Sequence, residues 1–89
     1  MSIEILIIDD NIDIRNIIND LIVDAGYKTR LATNYNQALS EIDKKLPDVA
    51  IIDVKLDKSD NDGLELLSHI KIKNKDIPVI IITGHANVE

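Results

Sequence analysis

The chain has no cysteine, which excludes disulfides and thiolate metal sites. It also lacks tryptophan and phenylalanine, so aromatic stacking on nucleobases is not an expected mode of binding. Positive charge is scarce and scattered. Lys44, Lys45, Lys71, Lys73 and Lys75 lie among acids and read as solvated helix faces, and the net charge of −6 argues against a surface for nucleic acid phosphates. No apolar run is long enough to span a membrane, and residues 1–8 lack the basic start and cleavage site of a secretory signal. A cytoplasmic chain with no membrane contact is therefore expected. Repeats, linkers and low-complexity tracts are also missing.

What is present is aliphatic. Hydrophobic residues make up 45% of the 89 positions, nearly all of them Ile, Leu, Val and Ala, enough to build the core of one small domain. Residues 3–8, IEILII, form a continuous apolar run, the pattern of a strand buried on both faces. From Asn11 the period changes to that of a helix, with Ile14, Ile17, Ile18, Leu21, Ile22 and Ala25 on one stripe, Asn11 as N-cap and Gly26 as the stop. Tyr27–Leu31 is a short second strand. Asn34 and Gln37 then suggest a capping box for a helix that turns Ala38, Leu39, Ile42 and Leu46 inward and ends at Pro47.

Val49–Asp53 is a third strand, followed by a polar stretch. Asp62-Gly63-Leu64-Glu65 opens a third helix with Leu64, Leu67 and Ile70 inward and Leu66 flanking; His69 is expected to face solvent. Ile77–Ile82 is a fourth strand with Pro78 at its beginning, where proline is tolerated. The βαβαβαβ alternation predicts an α/β domain with a doubly wound parallel sheet and helices on both faces.

Acids stand at the strand ends. Asp9 and Asp10 follow the first strand, Asp53 ends the third, and Thr83 follows the fourth. Open parallel sheets bind ligands beyond the carboxyl ends of their strands, where strand order reverses. If the order is 2-1-3-4, the three carboxylates converge, and their repulsion calls for a cation. A ligand set of oxygen atoms alone favours Mg²⁺ over zinc. Any one Asp after a strand is ordinarily a turn former or cap; three on one sheet edge are harder to account for that way. Asp57, Ser59, Asp60, Asn61 and Asp62 read as loop and cap chemistry, and His85 lies near the mouth of the expected site.

Asp9-Asp10 after the first strand, Asp53 after the third, Gly63 opening the third helix and Thr83-Gly84 after the fourth resemble the receiver domain of two-component response regulators. The likeness runs over the whole chain. The run DVKLDKSDNDGLELL, longer between Asp53 and Gly63 than in common single-domain receivers, and ITGHANVE are similar to the nitrogen-regulation (NtrX) branch. The resemblance implies a flavodoxin-like sheet and a function. Asp53 would accept a phosphoryl group from a phosphohistidine on a sensor histidine kinase. Asp10, Asp53 and the backbone carbonyl of Lys55 would ligate Mg²⁺, with Asp9 acting partly through water. Thr83 would be the switch hydroxyl, and Lys55 and His85 would flank the site and tune phosphoryl lifetime.

The chain would assist its own phosphorylation without turning over an independent substrate, and control of transcription would belong to the parent protein. The family pattern continues past Glu89 with a fourth helix, a fifth strand bearing a lysine, and a fifth helix. Residues 1–89 are therefore expected to be the first three-quarters of a receiver, and a bare fourth-strand edge is expected to drive self-association or segment exchange.

Other classes fit less well. A phosphatase with a strand-end Asp nucleophile wants a second acid two residues on, where this chain has Lys55 after Asp53 and Ile12 after Asp10. Nucleotide-binding GxxxxGK[ST] and GxGxxG motifs are absent. The alternative that remains is a receiver-shaped interaction module that is not phosphorylated in this form.

Overall fold

The computed structural model describes residues 2–54 and 62–82. Strands β1 (Glu4–Ile8), β2 (Lys28–Ala32), β3 (Val49–Asp53) and β4 (Val79–Ile82) are all parallel and lie in the order β2-β1-β3-β4. Helices α1 (Ile12–Asp24), α2 (Tyr35–Lys44) and α3 (Asp62–Lys73) connect them. The doubly wound order expected from the alternation is thus the one that forms. β1 and β3 take the centre because their side chains are apolar on both faces. Leu6, Ile8, Ala50 and Ile52 pack under α2 and α3, while Ile5, Ile7 and Ile51 face α1. Leu6, Ile8, Ile42, Ile52, Leu66 and Ile70 are fully buried, each worth about 1.5–3 kcal/mol relative to exposure.

The ends of α1 follow local chemistry. The Asn11 side chain accepts from the N–H groups of Asp13 (2.9 Å) and Ile14 (3.1 Å). At the other end Gly26 adopts φ +98°, and the N–H groups of Gly26 and Tyr27 reach back to the carbonyls of Val23 and Ile22. α2 starts at Asn34, which accepts from the Gln37 N–H, but the Gln37 side chain accepts from Thr33 and not from Asn34 as in a capping box. Three strands begin later than expected, β1 by one residue, at Glu4. β2 starts at Lys28, since Tyr27 is occupied in closing α1. β4 starts at Val79, since Pro78 has no N–H to pair and contributes only its carbonyl, to the Ala50 N–H.

Three side-chain assignments are corrected. On α1 only Ile14, Ile18 and Ile22 turn toward the sheet, partly buried; Ile17 is 60% and Leu21 66% exposed, and Ala25 is exposed as well. α1 packs mainly over β1 and β2, and Ile17 and Leu21 stay outside the cluster that Ile18 and Ile22 join. On α3 the buried apolar side chains are Leu66 and Ile70, with Leu67 partly buried and Leu64 exposed. Gly63 is pressed against the end of β3, and this turns the 63-66-70 face inward. His69 is not free in solvent but lies 3.2 Å from Asp43 of α2, where Lys73 also approaches at 3.5 Å.

Arg30 braces the other end of the sheet. One guanidinium nitrogen donates to the carbonyl (2.9 Å) and carboxylate (3.0 Å) of Glu41, and the other donates to the Lys45 carbonyl at 2.6 Å. Its Nε stands 3.1 Å from Glu4, an ion pair whose angle falls short of a hydrogen bond. The Arg30 hydrogen bond holds the Glu41 carboxyl below the usual glutamate value. That contribution is present above the unfolded glutamate pKa and is lost as pH falls through the lowered folded one. Arg30→Ala is expected to destabilise the chain by about 2–3 kcal/mol, because it strips the last carbonyls of α2, removes the ion pair of Glu4 and leaves Glu41 with Lys44 alone. Urea unfolding would show the loss at neutral pH, with the difference from wild type shrinking in acid.

Candidate functional site

The parallel register sets Ile8 beside Ile52, so the residues that follow, Asp9 and Asp53, emerge side by side at the carboxyl edge. Both are nearly buried, Asp9 2% and Asp53 5% exposed, while Asp10, one residue on, is exposed. One ligand atom from each of the three carboxylates lies within 4.8 Å of the other two. Asp9 Oδ1 accepts the Asn11 N–H at 2.9 Å, so the N-cap residue of α1 also steadies the first acid. Burial pushes the Asp9 carboxyl above its usual range and the adjacent Asp53 carboxylate adds to this; the Asn11 N–H and Arg15 pull the other way.

Such a cluster fits a small hard cation. All its side-chain ligands are oxygen, two of the three are held rigidly at strand ends, and neither histidine nor cysteine is among them. α3 starts against the same corner. The Gly63 N–H donates to the Val54 carbonyl at 3.1 Å, and a Cβ on Gly63 would fall 2.4 Å from the Asp53 carbonyl oxygen. Asp62, read from the sequence as cap chemistry, is the first helical residue and is buried. On the far side of β3, Ile82 is the register partner of Asp53, and its carbonyl accepts the Val54 N–H at 3.0 Å.

The structure therefore brings together Asp9, Asp10 and Asp53, the acids singled out in the sequence. Thr83, Lys55, His85, Gly84, Asp57, Ser59, Asp60 and Asn61 lie outside the described residues. Arg15 was not anticipated. It sits on the first turns of α1, and its Nη1 donates to the Asp9 carbonyl (3.0 Å) and to the Thr33 hydroxyl (2.8 Å). The available signal was an arginine set directly after Ile14 in a helix whose buried stripe starts there. Among the described residues no helix is long and apolar enough to cross a membrane.

The family model described as response regulator receiver domain matches residues 5–89. The nitrogen assimilation regulatory protein NtrX of Azorhizobium caulinodans is 40% identical over 89 residues, which cover 100% of this chain and 20% of that protein. Sporulation initiation phosphotransferase F of Bacillus subtilis is 36% identical, covering 100% of this chain and 70% of that protein. Among solved structures, the receiver domain of NtrX from Brucella abortus superimposes with a TM-score of 0.82 at 38% identity, over 93% of this chain and 69% of that one. The chain thus spans about a fifth of the NtrX relative. Receiver domains of response regulators are phosphoacceptors served by sensor kinases. With strand order, acid cluster and similarity in agreement, the chain belongs to the response regulator receiver domain family.

Proposed function

We propose that residues 1–89 are the first three-quarters of a cytoplasmic receiver domain that takes a phosphoryl group on Asp53 from a phosphohistidine of a sensor histidine kinase. The observation that carries this is the convergence of Asp9, Asp10 and Asp53 within 4.8 Å at one sheet edge. One Asp53 oxygen attacks the phosphorus while the donor's P–N bond breaks, and the ring nitrogen leaves with the electron pair. Asp9, Asp10, Asp53 and the Lys55 carbonyl would hold Mg²⁺, whose charge offsets the repulsion between the carboxylate and the phosphoryl oxygens. Asp53 is fixed at a strand end, so little reorganisation stands between binding and attack.

Thr83 directly follows Ile82, the register partner of Asp53, a place suited to a switch hydroxyl that meets the new phosphoryl group. The chain assists its own modification and turns over no other substrate; control of transcription belongs to the parent protein. A small-molecule phosphodonor with Mg²⁺ tests the proposal. Intact mass should increase by one phosphoryl group, and chelation of the metal should abolish the increase. An unchanged mass would leave a receiver-shaped interaction module.

Self-association is also part of the proposal. Among the described residues β4 pairs only with β3, and Ile80 is 52% exposed on the sheet face that also carries Ile51 and α1. An apolar, uncharged strand edge supports pairing with a second copy, edge to edge or by exchange of the C-terminal segment. Light scattering should show a mass that rises with concentration. A monomer throughout, with slow amide exchange over residues 79–82, would refute it.

A further inference from the structure

The strand pairing that orders the site stops where the carboxylates begin. The Asp9 N–H still donates to the Ala32 carbonyl at 3.1 Å, the last rung between β1 and β2. One residue beyond Thr33, Asn34 caps α2, so β2 has no further rung to offer the Asp9 carbonyl. Arg15 takes that place from α1. A single guanidinium nitrogen carries two hydrogens, and Nη1 has one acceptor for each, the Asp9 carbonyl and the Thr33 hydroxyl. Thr33 is itself held, since its N–H donates to the Gln37 side chain at 2.9 Å. The contacts run from α2 through the end of β2 and α1 to the end of β1. The Arg15 Nε is buried with no hydrogen-bond partner among the described residues, so the side chain keeps this position despite an unmet donor.

The carbonyl that Arg15 grips belongs to the peptide joining Asp9 to Asp10. Its orientation influences how the buried carboxylate and the exposed one point relative to each other, and a ligand atom of each lies within 4.8 Å of one from Asp53. We propose that Arg15 is a positioning residue: by tying the Asp9 carbonyl to the Thr33 hydroxyl it sets the Asp9–Asp10 peptide so that both carboxylates address one cation. This rests on the metal site described above. Coulomb attraction cannot give the same result, because a fixed positive charge beside the cluster repels a divalent cation. If charge alone mattered, removing Arg15 would tighten Mg²⁺ binding.

The two effects have opposite signs, and calorimetric titration with Mg²⁺ separates them. Positioning predicts that Arg15→Ala weakens binding roughly tenfold, the low end of what outer partners of metal ligands contribute. Thr33→Val keeps the charge and the side-chain volume but removes the hydroxyl anchor. It is expected to weaken binding about threefold, and the double variant should bind no more weakly than Arg15→Ala alone, since the two act through one linkage. Without metal, the Asn11 amide, which donates to Asp9, should exchange about tenfold faster in both single variants. The amide of Leu6 in the core should be unchanged, which a general loss of stability would not allow. Equal or tighter Mg²⁺ binding by Arg15→Ala, with wild type binding normally, would overturn the inference alone. A wild type that binds no Mg²⁺ would overturn the metal site and the inference with it.

Discussion

Asp53→Asn is expected to take up no phosphoryl group from a small phosphodonor under conditions that label the wild-type chain. The amide is nearly isosteric, so the end of β3 should hold its place, but the amide nitrogen's lone pair is delocalised and its oxygen lacks the carboxylate's charge. Intact mass spectrometry gives the answer, and labelling that survives the substitution would mean that another residue is the acceptor. The same substitution has a second effect, on stability. Burial raises the Asp9 carboxyl first and the Asp53 charge adds to it. A carboxyl whose folded pKa lies above its unfolded value contributes stability below the unfolded pKa and loses it as pH rises through the folded one.

The metal-free wild type therefore carries a penalty at neutral pH that Asp53→Asn relieves in part, by about 1 kcal/mol. Because burial is the larger cause, the variant should keep some of the pH dependence. Mg²⁺ should raise the urea midpoint of wild type and leave that of Asp53→Asn nearly unchanged. A variant less stable than wild type without metal, yet still stabilised by Mg²⁺, would place the cation elsewhere.

Gly63→Ala is expected to destabilise the chain by about 2 kcal/mol or more and to slow labelling of Asp53. Two effects oppose each other here. Alanine in place of glycine favours a helix by up to about 1 kcal/mol. Against that, the added Cβ would lie 2.4 Å from the Asp53 carbonyl oxygen and 2.5 Å from the Val54 Cα. These are backbone atoms of a central strand, not the ends of flexible side chains, so relief requires moving α3 or the strand, and overpacking of this kind costs about 1–3 kcal/mol, sometimes more. The clash should win. Its displacement falls on Asp53, the proposed nucleophile, so stability and labelling rate should decline together. Urea unfolding and timed labelling read the two effects, and a stabilised Gly63→Ala with an unchanged rate would show that the corner has room to spare.

Much of this corner was legible in the residues. Continuous apolar runs ending in Asp9 and Asp53 announce buried strands that surface at acids, and the change of period at Asn11, Asn34 and Asp62 marks the helices between them. The acid cluster then required only that β1 and β3 be neighbours, as the pairing of Ile8 with Ile52 bears out. Less legible was which flank of a helix is covered. In α1, Ile17 and Leu21 share a helical stripe with Ile14 and Ile18, and periodicity alone cannot separate them. The separation follows from where the helix lies across the sheet. The α3 stripe was misjudged for a related reason: contact of Gly63 with the Asp53–Val54 backbone rotates the helix so that Leu66, not Leu64, enters the core.

The sequence by itself determined the alternation of elements, the parallel sheet, the acids at its edge and the family, because each is written in local period or in short motifs. Tertiary structure alone decided the work of the two arginines. As letters, neither arginine stands out from the eight lysines. Yet Arg15 ties the ends of β1 and β2 together, and Arg30 closes the C-terminal end of α2. The acceptors they reach are mainly backbone carbonyls, and every residue type carries one. Which carbonyls lose their partners depends on where strands stop and helices end in space, and that is settled only when the chain has packed.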